Sequence, residues 1–163
     1  MRDCCLEPVP GPPVTPWVLS RVWTAVGPLG CGGWPEPHSL ALQHRHSILT
    51  LLDDVLAGLY LAVDADGNLR WLGKAHRNGG VGARIREHLT HPERARVYTE
   101  LYVVGANPFS PSGALAAAEG KAADLLALRG QMGSRTWPSS DDWLRLVTSR
   151  GRGRASHHHS ASR

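Results

Sequence analysis

The chain has 163 residues and a formal net charge of +4, enough for one domain with an ordinary core plus flanking segments. No apolar run reaches the roughly 20 residues that a membrane span needs, so no spanning segment is expected. Its three cysteines, the adjacent Cys4 and Cys5 and the lone Cys31, have no partners at metal-ligand spacing, which argues against a disulfide framework or zinc site and for a reducing compartment.

Residues 1 to 40 are dense in proline and glycine without a steady period, and read as a disordered or loosely packed leader. The apolar patch from Pro16 to Leu29 is interrupted by Arg21, Gly27 and Pro28, unlike the unbroken stretch of a secretory signal. A cytoplasmic protein is expected. Its preference for arginine over lysine, 16 against 2, together with abundant alanine, glycine and proline, suggests a GC-rich bacterial genome.

The domain proper is expected over residues 48 to 149, with Leu49 to Leu56 as a short leading helix. From Ala57 the pattern alternates: Leu59, Leu61 and Val63 share one strand face, and Tyr60 and Ala62 the other. The run from Asp64 to Asn68 supplies turn residues that tolerate positive φ, so a hairpin into Leu69 to Lys74 follows. This turn is not a calcium loop, because the acidic ligand due at its twelfth position falls on Ala75.

Asn78-Gly79-Gly80 opens a helix through Leu89, in which Val81, Ile85 and Leu89 make a core stripe, with Arg84 and His88 one above the other on its border. Pro92 should close that segment, and Val97 to Val104 reads as a third strand. After a loop from Pro108 to Pro111, Ser112 is a suitable N-cap for a helix ending at Gly130. A last short helix should begin at Ser139 or Ser140. Beyond Arg150 the basic tail, 150 to 163, is expected to be disordered. The fold class is therefore α+β, a small three-stranded antiparallel sheet flanked by helices.

Charge is distributed unevenly. Residues 70 to 96 hold seven cations (Arg70, Lys74, Arg77, Arg84, Arg86, Arg94, Arg96) against Glu87 and Glu93, a local +5. That is the footprint of a phosphate-backbone partner, or else a solvated basic face. Glu119 is the sharpest anomaly, because it falls within the stripe of Leu115, Ala122 and Leu126. A buried carboxylate must be paired, metal-bound or at a cleft rim, since isolated burial costs several kcal/mol or more. It is either a structural ion-pair partner, with Arg84 a candidate, or a functional acid.

Hydrolysis of a phosphodiester needs an activated water, positive charge against the developing phosphorane and a proton for the leaving oxygen. One carboxylate can hold Mg2+ or Mn2+ alongside water and phosphate. Arg84 offers a fork of donors for non-bridging oxygens. Tyr60 is suited to orient or deprotonate water, and His88 and Lys74 to assist proton transfer or anchor phosphate. Each also has an ordinary structural role: a core aromatic for Tyr60, a helix cap for His88, a solvated cation for Lys74.

Gly58-Leu59-Tyr60, Trp71-Leu72-Gly73, the Arg84 and His88 pair and Glu119 together resemble, in order, the motifs of the GIY-YIG endonuclease superfamily. The run Gly73-Lys74-Ala75-His76-Arg77 is similar to the excision-repair incision nucleases of that superfamily, a DNA-repair setting. The resemblance covers about residues 57 to 138. It implies a metal-dependent endonuclease acting on DNA, with Tyr60, Arg84, His88, Glu119 and Lys74 catalytic, Glu119 holding Mg2+ or Mn2+, and Trp71, Gly73, Arg77 and Arg86 touching substrate. The second tyrosine of the pattern is Trp71, which has no hydroxyl. Tyr60 then acts alone, Tyr98 or Tyr102 substitutes, or the chain is a nucleic-acid-binding module of the same fold that does not cut. Extra residues including Gly79 and Gly80 precede Arg84, and Thr136-Trp137-Pro138 stands where the pattern often has an asparagine.

Overall fold

The alternating segments form a hairpin at the centre of the sheet: β2 (Ala57–Val63) pairs antiparallel with β3 (Leu69–His76), Tyr60 opposite Gly73 and Leu59 opposite Lys74. The computed structural model describes residues 9–30, 38–76, 78–111 and 113–149. At the hairpin turn Asp64 Oδ1 accepts from the backbone N–H of Asp66 and Asn68 at 3.0 and 2.9 Å, and Gly67 takes a positive φ of 82°. β4 (Glu100–Gly105) pairs with the other side of β2.

The sheet has four strands rather than the expected three. β1 (His38–Ala41) pairs antiparallel with β4 from Leu40 opposite Leu101, giving the order β1-β4-β2-β3. Four residues bordered by a proline-rich stretch are too short to display an alternation of their own. The expected leader also differs. Residues Pro16–Val26 form α1, with Thr15 Oγ1 accepting from Val18 N–H at 3.3 Å and Pro16 in the first turn, where its missing N–H is harmless. Val18, Val22, Ala25 and Val26 make the buried stripe of that helix. Flanking prolines and glycines concealed an amphipathic helix of 11 residues.

α2 (Arg45–Leu52) and α3 (Gly80–Leu89) cover one face of the sheet; α1, α5 (Ala114–Leu125) and α6 (Trp143–Thr148) lie on the other. The sheet thus separates two apolar clusters. One joins Leu59, Leu61 and Leu72 to α1 and α5; the other joins Tyr60, Ala62, Leu101 and Val103 to Val81 and Ile85 of α3. Strand alternation dictates this division. Gly79 and Gly80, at φ 86° and 66°, turn the chain from β3 into α3, a conformation that side chains with a Cβ avoid.

Pro92 begins rather than ends an element. It sits in the first turn of α4 (Pro92–Val97), so β4 starts at Glu100, not at Val97. α5 stops at Leu125 because Ala127 takes a left-handed φ of 53°, with Leu128 N–H closing back on Ala123 O at 2.9 Å. The last helix starts at Trp143, later than expected. Ser112, Arg77 and residues 150 to 163 lie outside the described residues.

β3 is an edge strand, and its outer groups are used. Gly11 N–H donates to Leu69 O at 2.7 Å and Leu69 N–H to Pro12 O at 2.9 Å. Further along, the Arg135 guanidinium and the Trp137 indole both donate to Leu72 O, which blocks the edge against pairing with another chain. Among the described residues no helix is long and apolar enough to cross a membrane.

Candidate active site

The phenol of Tyr60 lies across β3. A Cβ at Gly73 would stand 2.5 Å from Tyr60 Oη and 2.9 Å from Trp71 Nε1, so only glycine at this position leaves room for the ring. Tyr60 Oη is 2.8 Å from His88 Nε2, and His88 Nδ1 is 2.8 Å from an Arg94 guanidinium nitrogen. A guanidinium has no acceptor, so Nδ1 must accept and the imidazole proton belongs on Nε2, which donates to the phenol oxygen. Arg84 and the Trp71 indole N–H are hydrogen-bonding neighbours of the same oxygen. Several N–H groups therefore converge on one phenol.

Burial sets the electrostatics here. It pushes the Tyr60 phenol above its ordinary value, and the nearby Arg84 opposes that rise. Burial, followed by the charges of Arg94, Arg84 and Arg135, pushes His88 down to about 3. The imidazole is thus neutral near pH 7, held between the Tyr60 hydroxyl and the Arg94 guanidinium. Tyr98, its ring 6.5 Å from that of His88, is pushed up to about 12 by burial, and its hydroxyl has no hydrogen-bond partner among the described residues.

Glu119 belongs to the other face. It is 5% exposed on α5, among Leu115, Ala118 and Ala122, as its place in an apolar stripe requires. Its partners are Lys74 Nζ at 3.3 Å and an Arg135 guanidinium nitrogen at 3.6 Å. Arg84, the partner anticipated from sequence, instead pairs with Glu87 one turn along α3. Neighbours on a strand face opposite ways, so Gly73 presents the phenol to one side and Lys74 reaches Glu119 on the other.

The two sides communicate around the β3 edge. The Arg135 guanidinium lies 3.4 Å from the centroid of the Trp71 ring while also reaching Glu119, and it feels the charges of both Glu119 and Tyr60. Arg94 sits against the same indole at 4.5 Å. Two guanidiniums thus lie against the Trp71 ring, a contact its electron-rich π system favours. Arg135 was not anticipated; it stands in an irregular segment where no periodicity marks it. Arg94 was visible only as one charge in a basic stretch.

A groove of about 400 Å³ opens beside these groups, lined by Lys74, Ala75, His76, Asn78, Gly80, Ala83, Arg84 and Glu87. Two of its wall residues lead inward: Arg84 to Tyr60, and Lys74 to Glu119. Tyr60, Trp71, Gly73, Arg84 and His88 meet on the α3 side of the hairpin, whereas Lys74 turns to Glu119 on the α5 side. Arg135, at the β3 edge, touches Trp71 on one side and Glu119 on the other. Arg86 is not among them. It forms a two-pronged pair with Asp53 of the α2 end, 2.9 Å at its second prong, away from the groove. Tyr102, opposite Leu61, faces the α5 side, as Lys74 and Glu119 do, whereas Tyr98 is on the Tyr60 side.

Among the described residues there is no cluster of three His, Cys, Asp or Glu, so a closed protein cage is not formed. Mg2+ typically takes only one or two carboxylates and completes its shell with water and phosphate. Glu119 is buried and already faces two cations, Lys74 Nζ at 3.3 Å and an Arg135 nitrogen at 3.6 Å, so a divalent ion at this carboxylate would have to displace at least one of them. No family model matches the chain, and no curated protein or solved structure matches it either.

Proposed function

We propose that this protein is a metal-dependent DNA endonuclease of GIY-YIG type whose groove receives the scissile phosphate. The observation that carries the reading is the groove wall itself: two accessible cations, Arg84 and Lys74, each in contact with a buried group suited to phosphodiester hydrolysis. The Arg84 side chain is 44% exposed and the Lys74 side chain 38%, so both can meet a backbone oxygen. The altered second motif, Trp71-Leu72-Gly73, keeps the glycine that seats the phenol.

In this mechanism Arg84 exchanges Glu87 for non-bridging phosphate oxygens, a gain in charge-assisted hydrogen bonding. Lys74 turns from Glu119 toward phosphate, which frees an oxygen of the carboxylate. Glu119 would hold Mg2+ or Mn2+, which would supply charge against the phosphorane and a more acidic water. Tyr60, fixed by the neutral His88, would orient the nucleophilic water through its hydroxyl. Arg94 keeps His88 in the tautomer that does this. The water's proton would pass to solvent in the groove, and the leaving oxygen would take its proton from solvent. Trp71 excludes water behind the phenol.

The test is conversion of supercoiled plasmid to open circle by the full chain with Mg2+, against the same reaction in EDTA. Nicking only with Mg2+ is expected; no nicking under either condition, at any ionic strength that permits binding, rejects the enzyme. A second reading, a DNA-binding module that does not cut, is favoured by Trp71, since its indole offers no hydroxyl and has Arg94 and Arg135 against its ring. Salt-dependent DNA affinity without cleavage, and cleavage gained in Trp71→Tyr, would select it.

A further inference from the structure

The buried His88 and Tyr98 are ringed by guanidiniums: Arg94, Arg84 and Arg135 act on the first, and Arg94, Arg135 and Arg70 on the second. Three of these cations have a carboxylate. Asp64 pairs with Arg70 at 3.5 Å, Glu87 with Arg84, and Glu119 lies 3.6 Å from Arg135. Arg94 has none among the described residues, and its contacts are with neutral groups. One nitrogen donates to His88 Nδ1 at 2.8 Å, and Cζ lies 4.5 Å from the centroid of the Trp71 ring. The side chain is half-buried, so it has given up part of its hydration without an anion to offset the loss.

Arg135 sharpens the imbalance. Its Cζ is 3.4 Å from the same ring centroid, so two like charges share one indole and oppose each other. The position also continues the groove. Arg84, on the groove wall, and His88 are one turn apart on α3, and Arg94 reaches His88 from α4. Arg84 and the Trp71 N–H both meet Tyr60 Oη, which ties the two cationic places together. A guanidinium laid against an aromatic ring is weakly hydrated and presents its remaining N–H groups as a fork matched to phosphate oxygens. Cations in succession favour a polyanion over a lone carboxylate.

We propose that Arg94, backed by Trp71 and Arg135, holds a second phosphate of the DNA backbone, next to the one that Arg84 receives in the groove. The inference rests on the groove receiving DNA and adds the path of the strand, which leaves the groove along α3 toward α4. The bound phosphate also relieves the repulsion between Arg94 and Arg135.

The experiment measures duplex affinity of the full chain in EDTA, to hold cleavage, at a series of salt concentrations. Arg84→Gln and Arg94→Gln should each lower the slope of log affinity against log salt by about one, and the double variant by about two, because the phosphates are separate. Gln at position 94 keeps an amide donor for His88 Nδ1, and Arg94→Lys, which keeps the charge, should return the wild-type slope. On the wild-type protein, arginine modification by phenylglyoxal, read by mass spectrometry, should show Arg94 shielded by DNA. A wild-type slope in Arg94→Gln, a double variant no lower than the single ones, or equal modification of Arg94 with and without DNA overturns the second phosphate while the groove reading stands. Wild-type protein that binds no DNA overturns both.

Discussion

The two faces of the β2–β3 hairpin bury different chemistry. Toward α1 and α5, Leu59, Leu61 and Leu72 meet valines and alanines, with the buried Glu119 carboxylate among them. Toward α3, the largest buried side chain is a phenol, tied by hydrogen bonds to an imidazole and through it to a guanidinium. The first face is held by area removed from water, which tolerates imprecision. The second is held by donors and acceptors that must each find a partner, which fixes atoms rather than volumes. Both faces deliver their polar group to the same sheet edge, where Arg135 spans them.

The sharpest way to break this comparison is to cut one side chain on each face. Leu59→Ala should lower unfolding free energy by about 3 kcal/mol in urea titration, yet leave plasmid nicking per folded molecule within a few-fold. Tyr60→Phe should do the reverse: about 1–2 kcal/mol in stability, from the stranded His88 N–H, and a loss of nicking of about a hundred-fold or more. Similar stability losses with similar activities would mean the two faces do not differ in kind.

Gly73→Ala tests the seat of the phenol. The new methyl would stand 2.5 Å from Tyr60 Oη, so the ring must move. Destabilisation of about 1–3 kcal/mol is expected, with lost nicking and altered tyrosine and tryptophan absorption in the folded protein. Unchanged spectra and activity would place the phenol elsewhere.

Acid should act on the polar face first. His88 is held at about 3 when folded and has an ordinary value of 6.5, so between these limits the unfolded chain binds the extra proton. Its share of stability is complete above pH 6.5 and declines as pH falls toward about 3. The groups facing it, Arg94, Arg84 and Arg135, oppose protonation, and only Glu87 favours it. Urea midpoints measured across that range should fall with a slope that His88→Gln makes shallower; an identical slope in the variant contradicts a neutral buried imidazole. The smallest effect expected is that of Arg86→Ala. Its guanidinium is committed to Asp53, so DNA affinity should change less than about two-fold, against a marked loss for Arg84→Ala measured in the same titration.

Much of this arrangement was legible from letters because it follows from period. Alternation separated Leu59 and Leu61 from Tyr60 and Ala62, and a helical stripe marked Glu119 as buried. The helix pair Arg84 and His88 stands beside the phenol on the same grounds. What escaped had no period to show. β1 is four residues long, α1 is enclosed by prolines and glycines, and Arg135 lies in an irregular stretch whose path around β3 is set by tertiary contacts to Leu72 O and the Trp71 ring. The ion pair of Glu119 was misassigned for a related reason: sequence gives the need for a cation but not which strand residue, Lys74, turns toward it.

The central claim, that a carboxylate behind Lys74 serves phosphodiester hydrolysis in the adjoining groove, is tested most directly by Glu119→Gln, which keeps the side chain's shape and removes its charge. With Mg2+ and supercoiled plasmid, the account predicts that nicking falls by at least about a hundred-fold while DNA affinity in EDTA holds or rises, because Lys74 is released. Nicking by Glu119→Gln at the wild-type rate contradicts it.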